Sequence, residues 1–137
     1  MKNVQYWLVK SEPHKYSWEK FNDDGRTFWD GVRNYQARNN LREMKEGDLV
    51  LYYHSNEGKA VVGIAKVVKE FYQDPTTDDK NWVVVDLVPF ENIKNPVTLE
   101  IIKADEQLKD VGLVRQGRLS VMGLKREEFD RIVELGS

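Results

Sequence analysis

The sequence predicts an α+β domain: a strongly bent antiparallel sheet or small barrel of five or six strands, with helices packed outside. Three observations lead there. Runs of alternating or continuous apolar character recur at residues 4–9, 49–55, 60–72, 82–88 and 115–122. Two segments, 34–44 and 125–135, carry apolar residues at helical spacing instead. The chain has 137 residues, 40% of them hydrophobic, enough for one compact core and cramped for two, so residues 1–137 read as a single domain.

Val4 to Val9 is apolar on both faces, as an interior strand is. Pro13 bars helix at Glu12, so Ser11 and Glu12 are expected in an extended exit loop where side chains can face a cavity. Ser17 is placed to cap a short helix reaching about Asn22, with Tyr16 and Phe21 at the staple positions and Asp23-Asp24-Gly25 as its stop. Phe28 and Trp29 follow as a short extended piece, and Asp30-Gly31 is a turn signal.

From Asn34 to Met44, Ala37, Leu41 and Met44 mark one buried helix face, while Asn34, Arg38, Arg42 and Lys45 form a polar-basic stripe beside it. Asn34 is a good helix cap, and Gly47 is read as the stop. Leu49 to Ser55 is a strand with Leu49, Leu51, Tyr53 and Ser55 on one face, turning at Asn56 to Lys59 into a long partner, Ala60 to Tyr72. Gly63 within it suggests a bulge or a close backbone approach. Asp74 to Asp79 reads as an acidic, solvated loop without chemistry, and Trp82 to Val88 as a strand that Pro89 ends.

Pro96 to about Lys109 is helical in parts, with Thr98 and Asp105 as caps. Arg115 to Met122 is expected to return to strand, and Lys125 to Leu135 to be an amphipathic helix burying Phe129, Ile132 and Val133.

The runs YWLVKSEP (Tyr6 to Pro13), WDGVRNYQARNNLR, YYHS, GIAKVVKE and RQGRLSV (Arg115 to Val121), in this order, resemble the EVE domain. The likeness covers nearly the whole chain. One departure is Lys125, where the family pattern usually has a capping Ser or Thr. The resemblance implies a PUA-like topology, kinship with the YTH readers of methylated adenine, and an aromatic-walled pocket for a modified base in DNA or RNA.

Composition narrows the function classes. The absence of Cys removes disulfides, Cys-based zinc sites and thiol nucleophiles, and with only two His and no HExxH pattern no metal site is expected. No dinucleotide fingerprint, phosphate-binding loop, nucleophile elbow or deaminase signature is present, so no catalytic residues and no cofactor are assigned. No apolar run approaches the ~20 residues of a membrane span, and the start of the chain lacks a secretory signal, so a cytoplasmic, membrane-free monomer is expected. A formal charge of −2 argues that any nucleic-acid contact is local.

The expected ligand set is Ser11, Glu12, Trp29, Asn34, Tyr53, Ser55 and Ser120, with Arg33, Arg38, Arg42, Arg115 and Arg118 on the nucleic-acid backbone. Trp29, in a turn-rich polar setting, offers a flat face on which a base can stack, whereas Trp7, Trp18 and Trp82 have apolar neighbours and are assigned to the core. The expected function is a non-enzymatic reader that flips a methylated or hydroxymethylated cytosine, or a methylated adenine, into a pocket. Two alternatives stand beside it: an enzyme acting on such nucleotides through Glu12, and a plain protein-interaction module.

Overall fold

The computed structural model describes residues 3–137. Strands β1 (Tyr6–Ser11), β2 (Thr27–Phe28), β3 (Leu49–His54), β4 (Ala60–Gln73), β5 (Val83–Thr98) and β6 (Val121–Leu124) form one sheet in the order β2-β5-β4-β3-β1-β6. Four neighbouring pairs are antiparallel, but β1 and β3 run parallel, from Tyr6 opposite Leu49 to Ser11 opposite His54. The sheet is therefore mixed rather than wholly antiparallel. The segment between β1 and β3 is long enough to carry the chain back to the end it started from, which a parallel pair requires. This register also keeps Ser11 inside the strand instead of in the exit loop, and starts the strand two residues after Val4.

The sheet does not close, since β2 and β6 lie at its two ends. Helix α2 (Tyr35–Glu43) packs against both β5 and β6, and Asn40 Nδ2 donates to the Val121 carbonyl at 2.7 Å. A helix thus bridges strands from the two halves of the sheet.

Local capping follows the sequence closely. Ser17 Oγ accepts from the Lys20 N–H at 3.0 Å to start α1 (Trp18–Asp24), the Tyr16 and Phe21 rings meet at 6.0 Å, and Gly25 ends the helix at φ 74°. Asn34 caps α2, its side-chain oxygen accepting from Ala37 N–H at 2.9 Å. Thr98 caps α3 (Leu99–Ala104), and Asp105 caps the 3₁₀ turn after it. At α5 (Arg126–Leu135) only half a capping box forms: Glu128 accepts from the Lys125 N–H at 2.8 Å, but an ammonium side chain has no lone pair to return the bond.

Three expectations fail at longer range. β5 runs through Pro89 to Thr98, because Pro89 sits where the β4–β5 register shifts and no ladder donor is required of it. Residues 115–122 are not one strand: a helical turn α4 (Gly112–Arg115) and a tight turn precede β6, so the apolar alternation there marks residues that drop into the core from a bend. Trp82 is half-buried at the surface, its ring 5.1 Å from that of Tyr35, while Trp7 and Trp18 are core. Gly63 is required as expected, since a Cβ there would stand 2.2 Å from the Trp18 ring.

Candidate functional site

Four stretches of chain converge on a cavity of about 690 Å³: the end of β1 through Tyr16, β2 and the loop after it to Val32, Ser55 beyond β3, and Gly117, Arg118 and Ser120 before β6. Its aromatic lining is Tyr16, Phe28 and Trp29. Trp29 is only 8% exposed, with its backbone N–H donating to Val85 and its ring edge-on to Tyr52 at 5.4 Å and to Tyr16 at 6.4 Å. It is both core and wall. Phe28, 40% exposed, supplies the open part of the aromatic surface.

Behind the wall the polar groups are mutually satisfied. The Tyr16 carbonyl accepts from the Ser11 hydroxyl at 2.7 Å and from the Tyr52 hydroxyl at 2.6 Å, so the Ser11 proton is already committed. The Tyr16 phenol donates to Asp24 at 2.8 Å, and burial, with the Asp24 and Asp30 charges, pushes it up to about 12. It is a neutral phenol at physiological pH. Glu12 pairs with Lys15 at 3.0 Å and also engages Asn56 and His14; the Lys15 hydrogen bond holds its carboxyl below the usual range. Lys10, whose ammonium burial pushes down, donates to the Gly117 carbonyl at 2.7 Å.

Other lining groups have no partner among the described residues: the Asp30 carboxylate, the Ser55 and Ser120 hydroxyls, and the Arg118 guanidinium. These residues line the cavity, and the hydrogen-bonding capacity of their side chains is unused among the described residues.

The loop bearing Trp29 and Asp30 is fixed from behind by Asp74. This side chain is fully buried and accepts from Gly31 N–H (3.2 Å), Arg33 (3.0 Å) and both the backbone and hydroxyl of Thr76. Burial alone would raise its carboxyl, but the Thr76, Arg33 and Gly31 donors outweigh that and hold it below the usual value. The supposedly solvated acidic loop therefore contains the anchor of the cavity wall, and Gly31, at φ 78°, makes the turn it anchors.

Of the seven expected ligand residues, Ser11, Glu12, Trp29, Ser55 and Ser120 line the cavity. Asn34 and Tyr53 do not: the Asn34 oxygen is taken by its capping bond, and Tyr53 is 3% exposed, with the Lys10 ammonium 5.9 Å from its ring centroid. The five arginines do not form one track. Arg118 alone lines this cavity; Arg33 is bound to Asp74, Arg38 lies over Tyr35, Arg42 over Phe71, and Arg115 pairs with Asp110 in a different hollow. Tyr16, Phe28 and Asp30 went unassigned in the sequence. The one sequence signal for Asp30 is the Trp-Asp-Gly run, whose local pattern marks only a turn.

Among the described residues no group of three His, Cys, Asp or Glu stands together as a metal site, and no helix is long and apolar enough to cross a membrane.

The model of the EVE domain family matches residues 5–135. Mouse thymocyte nuclear protein 1 is 39% identical over 95% of this chain and 73% of its own length. A crystal structure of an Agrobacterium tumefaciens protein superposes with a TM-score of 0.96 at 44% identity, covering 98% of this chain and 94% of that one. The crystal structure of human THYN1 protein in complex with 5-methylcytosine-containing DNA superposes with a TM-score of 0.91 at 34% identity, covering 98% of each chain.

Proposed function

The chain belongs to the EVE domain family, and from that membership we propose that it is a non-enzymatic reader that takes a modified base of a nucleic acid into the cavity bounded by Tyr16, Phe28 and Trp29. The observation that carries this reading is the unused polar edge, Asp30, Ser55 and Ser120, set beside an aromatic lining. Support comes from the human relative crystallised with 5-methylcytosine-containing DNA, which shares the fold over almost the full length of both chains.

Such a reader must extract the base from its stack, at a cost of a few kcal/mol that falls for a weakened or single-stranded site. Stacking on an aromatic side chain returns ~1–3 kcal/mol, and a methyl group placed on a dry apolar wall adds ~25 cal/mol per Å² buried. Arg118, at the cavity and without an acidic partner among the described residues, would meet the flanking phosphate. With a net charge of −2 and the other four arginines dispersed, the interaction is local rather than a broad electrostatic grip.

The catalytic alternative through Glu12 lacks support from its surroundings. A carboxylic acid that donates a proton near neutral pH needs its pKa raised, and Lys15 lowers that of Glu12. Incubation with modified nucleic acid and mass spectrometry of the nucleosides should show no turnover; Glu12-dependent loss of a base or modification would replace the reader by an enzyme.

The decisive measurement is an array of DNA and RNA oligonucleotides carrying methylated or hydroxymethylated cytosine, or methylated adenine, against unmodified controls. Preference for at least one modified base is expected; equal binding throughout would remove the reader assignment.

A further inference from the structure

A methyl-rewarding wall leaves one discrimination unsolved. Thymine carries the same 5-methyl group as 5-methylcytosine, so apolar contact favours both alike. The two differ along one edge: cytosine presents a donating amine at position 4 and an accepting N3, thymine an accepting carbonyl at position 4 and a donating N3–H, so an acceptor discriminates between them when it is set against position 4. Reading that difference takes a group that can only accept or only donate. Ser55 and Ser120 cannot serve, because a hydroxyl does either.

Two carboxylates line the cavity, and they are not equivalent. Glu12 is engaged by Lys15, His14 and Asn56. Asp30 has no hydrogen-bond or ion-pair partner among the described residues, and it follows Trp29 directly in the wall. The backbone that carries it is anchored, since the next peptide N–H is held by the buried Asp74.

We propose that Asp30 sets the base identity of this cavity: its carboxylate accepts from the exocyclic amine of the captured base, admitting amino bases of the cytosine or adenine type and rejecting thymine and uracil. This rests on the cavity being the base-binding site. Ionised aspartate is acceptor-only, so a thymine O4 brought against it meets a lone pair with no proton between, and the desolvated carboxylate goes unpaired. Adenine-type bases offer the corresponding N6 amine, which leaves the choice between them to the shape of the aromatic lining.

The test uses fluorescence anisotropy on single-stranded oligonucleotides differing only at one central base: 5-methylcytosine, thymine or cytosine. Leaving that base unpaired makes the extraction cost alike for the three. The wild-type chain should bind 5-methylcytosine on the order of tenfold or more tighter than thymine. Asp30→Asn, whose amide can rotate to donate or accept, should bring that ratio close to one, chiefly by admitting thymine. Asp30→Ala should weaken 5-methylcytosine without improving thymine. Asp30 is exposed, so all variants should melt together with the wild type.

An unchanged ratio in Asp30→Asn overturns the proposal, as does a wild type that binds thymine as well as 5-methylcytosine. In either case the reader reading survives provided 5-methylcytosine still exceeds cytosine. A wild type that favours neither methylated base over cytosine overturns the proposal, and with it the reading of this site as a 5-methylpyrimidine pocket.

Discussion

The protein has a second hollow, about 970 Å³, between the β1–β6 edge and the starts of α4 and α5, larger than the 690 Å³ cavity beside Trp29. In the larger one most of the charged side chains are already engaged: Arg115 with Asp110 at 2.9 Å, Arg126 with Asp130 at 3.6 Å, and Glu128 with the Lys125 N–H, while the Lys125 ammonium has no partner among the described residues. In the smaller one an aromatic lining adjoins a carboxylate, two hydroxyls and a guanidinium that have no partner among the described residues. Volume and readiness to bind are thus separate properties. A ligand entering the larger hollow must compete with partners in place, whereas one entering the smaller hollow supplies partners that are missing.

Replacing Trp29 by Ala tests this contrast most severely, because the ring is core as well as wall. The loss in stability should be about 3–5 kcal/mol, read by denaturant or thermal melting. Trp29→Phe should recover much of the melt and part of the preference for modified base. Modified-base preference that persists with the melt collapsed would move the binding site away from this wall.

Asp74→Ala comes next, at about 3 kcal/mol, since it strands the Gly31 and Thr76 N–H groups and leaves Arg33 without its acceptor. The acid limb should change as well. Asp74 has a folded-state pKa below its unfolded value, so it contributes stability above about pH 4 that is lost as pH falls through the folded value. Stability against pH should fall less steeply below about pH 4 in Asp74→Asn than in the wild type.

The arginines distinguish the two hollows directly. Arg118→Ala should lower the slope of log affinity against log salt by about 0.7–0.9, the share of one phosphate contact, while Arg115→Ala leaves it unchanged. The reverse pattern would make the larger hollow the nucleic-acid face. The smallest effect is expected at Lys125→Ser, which completes the capping box of α5 and should add about 0.5–1 kcal/mol without altering binding.

What could be read from the sequence was set by the range of the interaction. Ser17, Asn34, Thr98 and Asp105 cap helices as expected, because a cap involves residues two or three apart. Gly63 marked a close approach although its partner, Trp18, lies far away, since a glycine in a Val-rich strand signals that something must come near. The parallel pairing of β1 with β3, the passage of β5 through Pro89 and the burial of Asp74 depend on segments distant in sequence, and no local pattern reports them. Ser11, Glu12, Trp29, Ser55 and Ser120, legible in the sequence as groups at strand ends and in turns, line the cavity. Tyr53 lies buried in β3, whose pairing with β1 is unbroken, and does not line the cavity. Arg38 and Arg42 do share a helix side, but each lies over an aromatic ring, and Arg33, before the helix, is turned to a buried carboxylate.

The cavity's four contributing stretches come from near both ends of the chain and from its middle. β3, β4 and β5 form a meander of sequence neighbours, while β6 reaches β1 only after nearly the whole chain has been laid down, with Tyr6 opposite Leu124. Closing so long a loop is entropically costly and slow relative to hairpin formation. The meander can therefore persist through fluctuations in which β6 detaches, and in that state Ser120 and Arg118 leave the cavity while most of the sheet stays intact. A captured base bridges the early and late parts of the chain. Occupancy should slow amide exchange in β6 more than in β4, even though β6 itself contributes no side chain to the cavity.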